Sequence, residues 1–171
     1  MVDTKQVEKL KILLASDWHE SVTNMEKLIA KEDKDYDFVL ISGDQANCNN
    51  QIGQPVNEEE NLKASNSNEL LVLDLQACAK QGGQVIYIPG NHDAEVLFRP
   101  EEAPKIGDSE NIHNLTFELA DGLVIAGLGG SLPTLCREEG ETEFRPVFNP
   151  YPYENEQAMA KALVDFWEKK V

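Results

Sequence analysis

A chain of 171 residues, 41% of them hydrophobic, can bury one domain-sized core, and it holds no apolar run long enough to cross a bilayer. Its formal net charge of -16 argues against DNA or RNA as a partner, because phosphate backbones are held by a basic face. The same charge leaves any anionic substrate dependent on local positive charge, which bound metal ions can supply.

Taken in order, the lead from Met1 to Lys11 is polar and alternately charged, unlike a signal or transit peptide. Leu10 to Ala15 reads as a first strand. Thr23-Asn24-Met25-Glu26 has the form of a capping box, and Met25, Leu28 and Ile29 follow at helical spacing, which predicts an amphipathic helix of roughly three turns. Phe38 to Ile41 is the second strand, so the chain opens with a βαβ unit and a parallel sheet. Gln45 to Asn68 carries seven asparagines and the run Glu58-Glu59-Glu60, a composition that predicts a long loop or lid inserted at 45–68. A helix from about Asn68 to Gln81 buries Leu71, Leu75 and Cys78, with Gly82-Gly83 as its stop.

Val85 to Ile88 is the third strand, ended by Pro89-Gly90. Pro100 to Asp108 is a charged connection. Ile112 to Leu119 and Leu123 to Gly127 read as two strands joined by the turn Ala120-Asp121-Gly122. Leu132 to Pro152 is irregular, with four prolines, and Glu138-Glu139-Gly140-Glu141 reads as a solvated turn. The last element is a helix whose stripe of Met159, Ala162, Leu163, Phe166 and Trp167 reads as core. There is no internal repeat, so the expectation is one α/β domain over 1–171. Cys48, Cys78 and Cys136 are odd in number and form no Cys-x-x-Cys pair, which reads as free thiols in a reducing, cytoplasmic setting.

Three strands end in polar residues that can bind metal: Asp17 and His19 after the first, Asp44 after the second, Asn91-His92-Asp93 after the third. The carboxyl edge of a parallel sheet is where sites gather. In an extended backbone Asp17 and His19 point to one side and can hold one divalent ion. Asp44 can bridge to a second ion with its other oxygen, and Asn91 can hold that second ion. Such a pair shares a water and turns it into a hydroxide aimed at phosphorus. His92 then serves the leaving oxygen as acid or positive stabiliser, with Asp93 orienting it. Mixed N and O donors suit Mn, Fe or Zn. Asn47 and Cys48 read as supporting residues, Trp18 and Tyr87 as hydrophobic support, and Arg99, Arg137 and Arg145 as candidate phosphate contacts or surface charge.

Asp17-Trp18-His19, Gly43-Asp44-Gln45-Ala46-Asn47 and Gly90-Asn91-His92-Asp93, in this order and each behind an apolar strand, resemble the calcineurin-like metallophosphoesterase superfamily. The resemblance covers about Leu10 to Gly130. It implies a calcineurin-like α/β sandwich, two divalent metal ions, and hydrolysis of a phosphorylated substrate, a phosphomonoester or phosphodiester. The second motif lacks the Arg of the protein Ser/Thr phosphatases, which implies the substrate-diverse branch of small cytosolic phosphoesterases. The family also has a lone His and a Gly-His-x-His segment downstream. This chain has only three histidines, and His113 lies upstream of those places and reads as a strand-edge residue. The fold is therefore expected to be incomplete at the C-terminus, as a fragment of a longer protein or a shortened form that binds metal poorly. The competing expectation is a non-catalytic scaffold or assembly subunit, with a protein partner or an oligomer covering an open sheet edge. A nucleotide-binding module is disfavoured, since no Gly-x-Gly-x-x-Gly opens a helix.

Overall fold

A computed structural model describes residues 9–31, 35–132, 135–136, 145–146 and 150–170, with side chains for all of these except 135, 136, 145, 146, 169 and 170. The four-stranded parallel sheet runs β1 (Ile12–Ala15), β2 (Tyr36–Ile41), β3 (Ala79–Tyr87) and β4 (Glu110–Asn111), in that spatial order. Strand alternation divides its side chains between two faces. Val39, Ile41, Val85 and Tyr87 lie against α1 (Val22–Lys31) and α2 (Glu58–Leu75), through Met25, Leu71, Val72 and Leu75. Phe38, Leu40, Ile86 and Ile88 lie against an antiparallel hairpin of β5 (Leu115–Ala120) and β6 (Leu123–Gly127), through Leu119, Phe117 and Ile125. The result is helices, sheet and hairpin in three layers, the α/β sandwich the sequence implies. Two-residue strands β7 (Leu135–Cys136) and β8 (Arg145–Pro146) pair with each other, and α3 (Glu156–Lys170) packs against β5.

Four expectations need correction. The 45–68 loop ends at Asn57. That residue's Oδ1 accepts from the Glu59 and Glu60 amides at 3.1 and 3.2 Å, and Glu58, Glu59 and Glu60 fill the first turn of α2, where the helix dipole favours negative charge. The predicted stop at Gly82-Gly83 lies inside β3 instead. Three extra residues bulge out of β3 between the pairs Tyr36–Ala79 and Phe38–Gln84. Gly82 has φ +80°, and a Cβ on Gly83 would stand 2.7 Å from the Tyr36 carbonyl oxygen, so the glycines serve the bulge. Thr23 lies within α1, because a turn at Trp18–Ser21 feeds the helix directly, with Asn24 and Met25 donating to the Ser21 carbonyl. In α3 only Phe166 of the expected stripe is buried. Trp167 is 61% exposed and Leu163 53%, since a two-stranded hairpin is too narrow to cover the whole apolar face.

Among the described residues nothing pairs with the outer edge of β1, and Leu14 is 70% exposed there. Cys48 and Cys78 are buried thiols outside any disulfide. Glu138–Glu141 and Arg137 lie outside the described residues. Among the described residues, no helix is long and apolar enough to cross a membrane.

His113, expected at a strand edge, lies between β4 and β5, forms a bridge to Gly127 and is 2% exposed. Its Nδ1 accepts from the Gly129 amide at 3.0 Å, its Nε2 lies 3.0 Å from the Asn114 side-chain amide, and its ring stands edge-on to Phe98. Burial pushes its pKa down from 6.5 to about 4. A histidine depressed in the fold contributes stability that is complete above pH 6.5 and is lost as pH falls toward 4, up to about 3 kcal/mol at 1.36 kcal/mol per unit. Urea unfolding at pH 7.5 and pH 5 should show a loss of about 2 kcal/mol in the native protein from this group. His113→Gln should flatten that gradient. An unchanged gradient in the variant would assign the acid sensitivity elsewhere.

Candidate metal centre

The site is assembled where β1, β2 and β3 end. The chain after β1 does not stay extended: Asp17, His19 and Glu20 have φ of 57°, 46° and 62°, and Asp44 after β2 has 55°. Non-glycine residues in this left-handed region are uncommon and are held there by their surroundings. Here the holding is a ladder between the two segments, in which Asp17, His19 and Glu20 amides donate to the carbonyls of Gly43, Asp44 and Gln45 at 3.2, 3.0 and 2.9 Å. The turn, rather than strand alternation, brings Asp17 and His19 together. One ligand atom from each of Asp17, His19 and Asp44 lies within 4.8 Å of the others.

Hydrogen bonds decide which atoms face inward. His19 Nδ1 is 3.0 Å from Asn47 Oδ1, while Asn47 Nδ2 reaches the His19 carbonyl at 3.1 Å and Glu20 Oε2 at 3.3 Å. The two Nδ2 contacts orient the amide so that its oxygen accepts from Nδ1–H, which leaves the Nε2 lone pair for a cation. Ser16 Oγ donates to Asp17 Oδ2. Asp44 Oδ1 accepts from the His92 amide at 3.0 Å and sits directly over Gly90. Two carboxylates and one imidazole form the hard-to-borderline donor set that suits a divalent ion, so these residues fit one. Asn47→Ala should lower metal affinity about 10–100-fold by releasing the His19 ring, and a metal titration checks it. Unchanged affinity would mean that the ring is held by other contacts.

Asn91 is 8% exposed and follows Gly90 beside Asp44, with its carbonyl accepting from Asn50 Nδ2 at 3.1 Å. His92 stands next to His19, ring centroids 5.0 Å apart and planes at 70°, and its Nδ1 lies 3.2 Å from the Cys48 carbonyl. Cys48 thus has a role through its backbone: it fixes His92 with Nδ1 protonated.

Asp93 does something other than the sequence predicts. It is 0% exposed, and its carboxylate accepts four hydrogen bonds, none from His92. Gln45 and Ala46 amides and Asn68 Nδ2 reach Oδ1 at 2.7, 2.9 and 2.7 Å, and the Gly90 amide reaches Oδ2 at 2.8 Å. Burial pushes its carboxyl up, the Gly90, Ala46 and Asn68 donors pull it only part of the way back, and the Asp44 charge adds to the rise, so it stays above the usual carboxylate range. All four partners donate, so the ionised, acceptor-only form fits the site. Asp93 therefore knots the ends of β2 and β3 to α2 and cannot touch a substrate. Sequence reasoning missed Asn68 entirely; an asparagine on the core side of a helix was the available signal. Asn61 acts similarly, accepting from the Glu95 amide at 2.7 Å.

Trp18 and Tyr87 belong to the hydrophobic cluster under the helices, as support. Arg99 is engaged by Glu95 and Glu102 at 3.1 and 3.2 Å, and so serves the surface.

Comparison with protein-family models matches residues 10–170 to the family described as calcineurin-like phosphoesterase. Comparisons with curated proteins and with solved structures return no match.

Proposed function

We propose, because this chain belongs to the calcineurin-like phosphoesterase family, that it is a metal-dependent phosphoesterase hydrolysing phosphomonoesters or phosphodiesters. The observation that supports this is the convergence of Asp17, His19 and Asp44 on one point, with His19 Nε2 left open by the Asn47 bond. These three would hold a first divalent ion; Asp44 and Asn91 would hold a second. Mn, Fe or Zn fit the donors. Divalent ions there supply Lewis acidity, which acidifies water and offsets charge on the phosphoryl oxygens.

In the hydrolysis a water oxygen forms a bond to phosphorus, the P–O bond to the alcohol breaks, and the departing oxygen takes a proton. His92 is the group placed to give it. With Nδ1–H spent on the Cys48 carbonyl, Nε2 is the nitrogen left for substrate, and it donates when the ring is imidazolium. The charged ring also stabilises the phosphoryl group before transfer. Asp93 contributes only by holding the backbone on which Asn91 and His92 sit.

One observation favours a second reading, a non-catalytic scaffold or assembly subunit with a protein partner along the open edge of β1. The chain has three histidines, and His113 is buried with both ring nitrogens engaged, so only Asp44 and Asn91 are left for a second ion among the described residues. Elemental analysis of the purified protein, with hydrolysis of p-nitrophenyl phosphate and its bis-ester in added Mn, separates the two. Near two metals per chain, and turnover that falls at least about 100-fold in Asp44→Asn, supports the enzyme. One metal or none, with no turnover, supports the scaffold.

A further inference from the structure

We infer that Asn50 is a positioning residue for His92: its side-chain amide holds the loop after β3 so that the ring presents Nε2 to the departing oxygen. This rests on the phosphoesterase reading above and adds to it the residue that aims the proposed acid.

Three carbonyls in a row converge on one short segment. Those of Asn91 and Asp93 accept from Asn50 Nδ2 at 3.1 and 2.7 Å. The His92 carbonyl between them accepts from the Cys48 amide at 2.7 Å. The His92 amide donates to Asp44 Oδ1 at 3.0 Å. The peptide units on both sides of His92 are therefore fixed, and the side chain keeps only its own torsions. Its Nδ1 then lies 3.2 Å from the Cys48 carbonyl, which accepts the proton there and leaves Nε2 to the site.

The residue type matters as much as the place. Asn50 is 7% exposed. Its Nδ2 has two hydrogens for two carbonyls, and its Oδ1 accepts from the Cys48 thiol at 3.3 Å, so the amide has one orientation and every group on it is used. Two carbonyl oxygens that approach one point repel unless a donor lies between them. A carboxylate of the same size would add a third acceptor, and a hydroxyl has one proton for the two. Asn47, in the same segment, holds the His19 ring from Nδ1 in the same sense, and the two ring centroids are 5.0 Å apart. One stretch of loop after β2 thus sets both imidazoles. The orienting role that adjacency suggests for Asp93 belongs to Asn50.

The test uses Asn50→Ala, with Asn111→Ala as control. Asn111 makes a similar bridge, from Nδ2 to the Leu97 carbonyl at 2.7 Å and to Oδ1 from the His113 amide at 3.0 Å, in a strand that carries no proposed ligand. Circular dichroism confirms folding; should Asn50→Ala not fold, Asn50→Ser, too short to span both carbonyls, takes its place. The first readout is heteronuclear NMR of the His92 ring nitrogens in metal-free protein, assigned through His92→Gln, in mildly alkaline buffer. The native ring should show the Nδ1–H tautomer, Asn50→Ala both tautomers, and Asn111→Ala the native one.

The second readout is turnover of p-nitrophenyl phosphate and phenyl phosphate with Mn. The p-nitrophenolate leaves without a proton, whereas the more basic phenolate needs one. Asn50→Ala should therefore lower kcat on phenyl phosphate at least about tenfold more than on p-nitrophenyl phosphate, a part of the roughly 10²–10⁴ that a general acid supplies, with KM within about twofold. Asn111→Ala should leave the ratio of the two esters alone. A ring that keeps its single tautomer in Asn50→Ala overturns the inference. So does an equal loss on the two esters, or a ratio that moves as far in Asn111→Ala. If the native protein hydrolyses neither ester, the phosphoesterase reading fails, and the ring spectrum decides whether Asn50 aims His92: two tautomers in Asn50→Ala support it, and one overturns it.

Discussion

Asp93→Ala is expected to cost at least about 4 kcal/mol of folding stability, although the residue is one place removed from the proposed acid. The change would orphan three buried backbone amides, those of Gln45, Ala46 and Gly90, together with the Asn68 side-chain amide. Each buried donor left without an acceptor costs roughly 1–3 kcal/mol. Domains of this kind are stable by only about 5–15 kcal/mol, so the loss approaches the whole margin. Asp93→Asn should recover only part of it. It keeps the shape but turns an NH₂ group toward N–H donors, whichever way the amide is placed. Urea denaturation of the three proteins measures the order native, Asn, Ala. A cost under 1 kcal/mol for Ala would show that water replaces the carboxylate and that the knot is not needed.

Gly90→Ala is expected to abolish metal binding and turnover while the domain stays folded. A Cβ there would fall within contact distance of the Asp44 Oδ1 and amide nitrogen, and 2.7 Å from Cγ. Asp44 would have to leave, and with it the bond from the His92 amide. The carboxylate is the residue shared between both proposed ions, so activity should fall at least about 100-fold, against a stability cost of about 1–3 kcal/mol for overpacking. Gly122→Ala is the control. At φ +77° and with nothing within 4 Å of the added carbon, it should cost about 1 kcal/mol in backbone strain and leave metal content and activity alone. Full metal content in Gly90→Ala would mean that the third strand end can yield without disturbing Asp44.

The parts of this molecule that were legible in its sequence are those where one physical signal dominates. Three short apolar runs, each cut off by glycine or polar residues, are the central strands. Asp-Gly between two apolar runs is the β5–β6 turn. The metal-capable residues follow the strand ends because the chain must leave the sheet there. What was not legible depends on contacts between distant segments. The first ten residues of α2 read as a loop because its core side includes Ala64 and Asn68, and Asn68 is polar for the sake of Asp93, 25 positions away. The left-handed turn at Asp17–Glu20 is held by carbonyls from the end of β2, which no local pattern announces. Asp93 looked like an orienting partner because it adjoins His92, yet its side chain turns into the core. The stripe on α3 was real, but how much of it is covered depends on the width of the hairpin beneath.

The knot around Asp93 also sets how the site breathes. Gln45 and Ala46 are loop residues at the rim of the sheet, where amides ordinarily trade their protons with water quickly. Their amides are bonded to a carboxylate locked between two strand ends and a helix, so they open only when β2, β3 and α2 come apart together. The same holds for Gly90. The ligand-bearing corner thus shares the slowest motions of the domain.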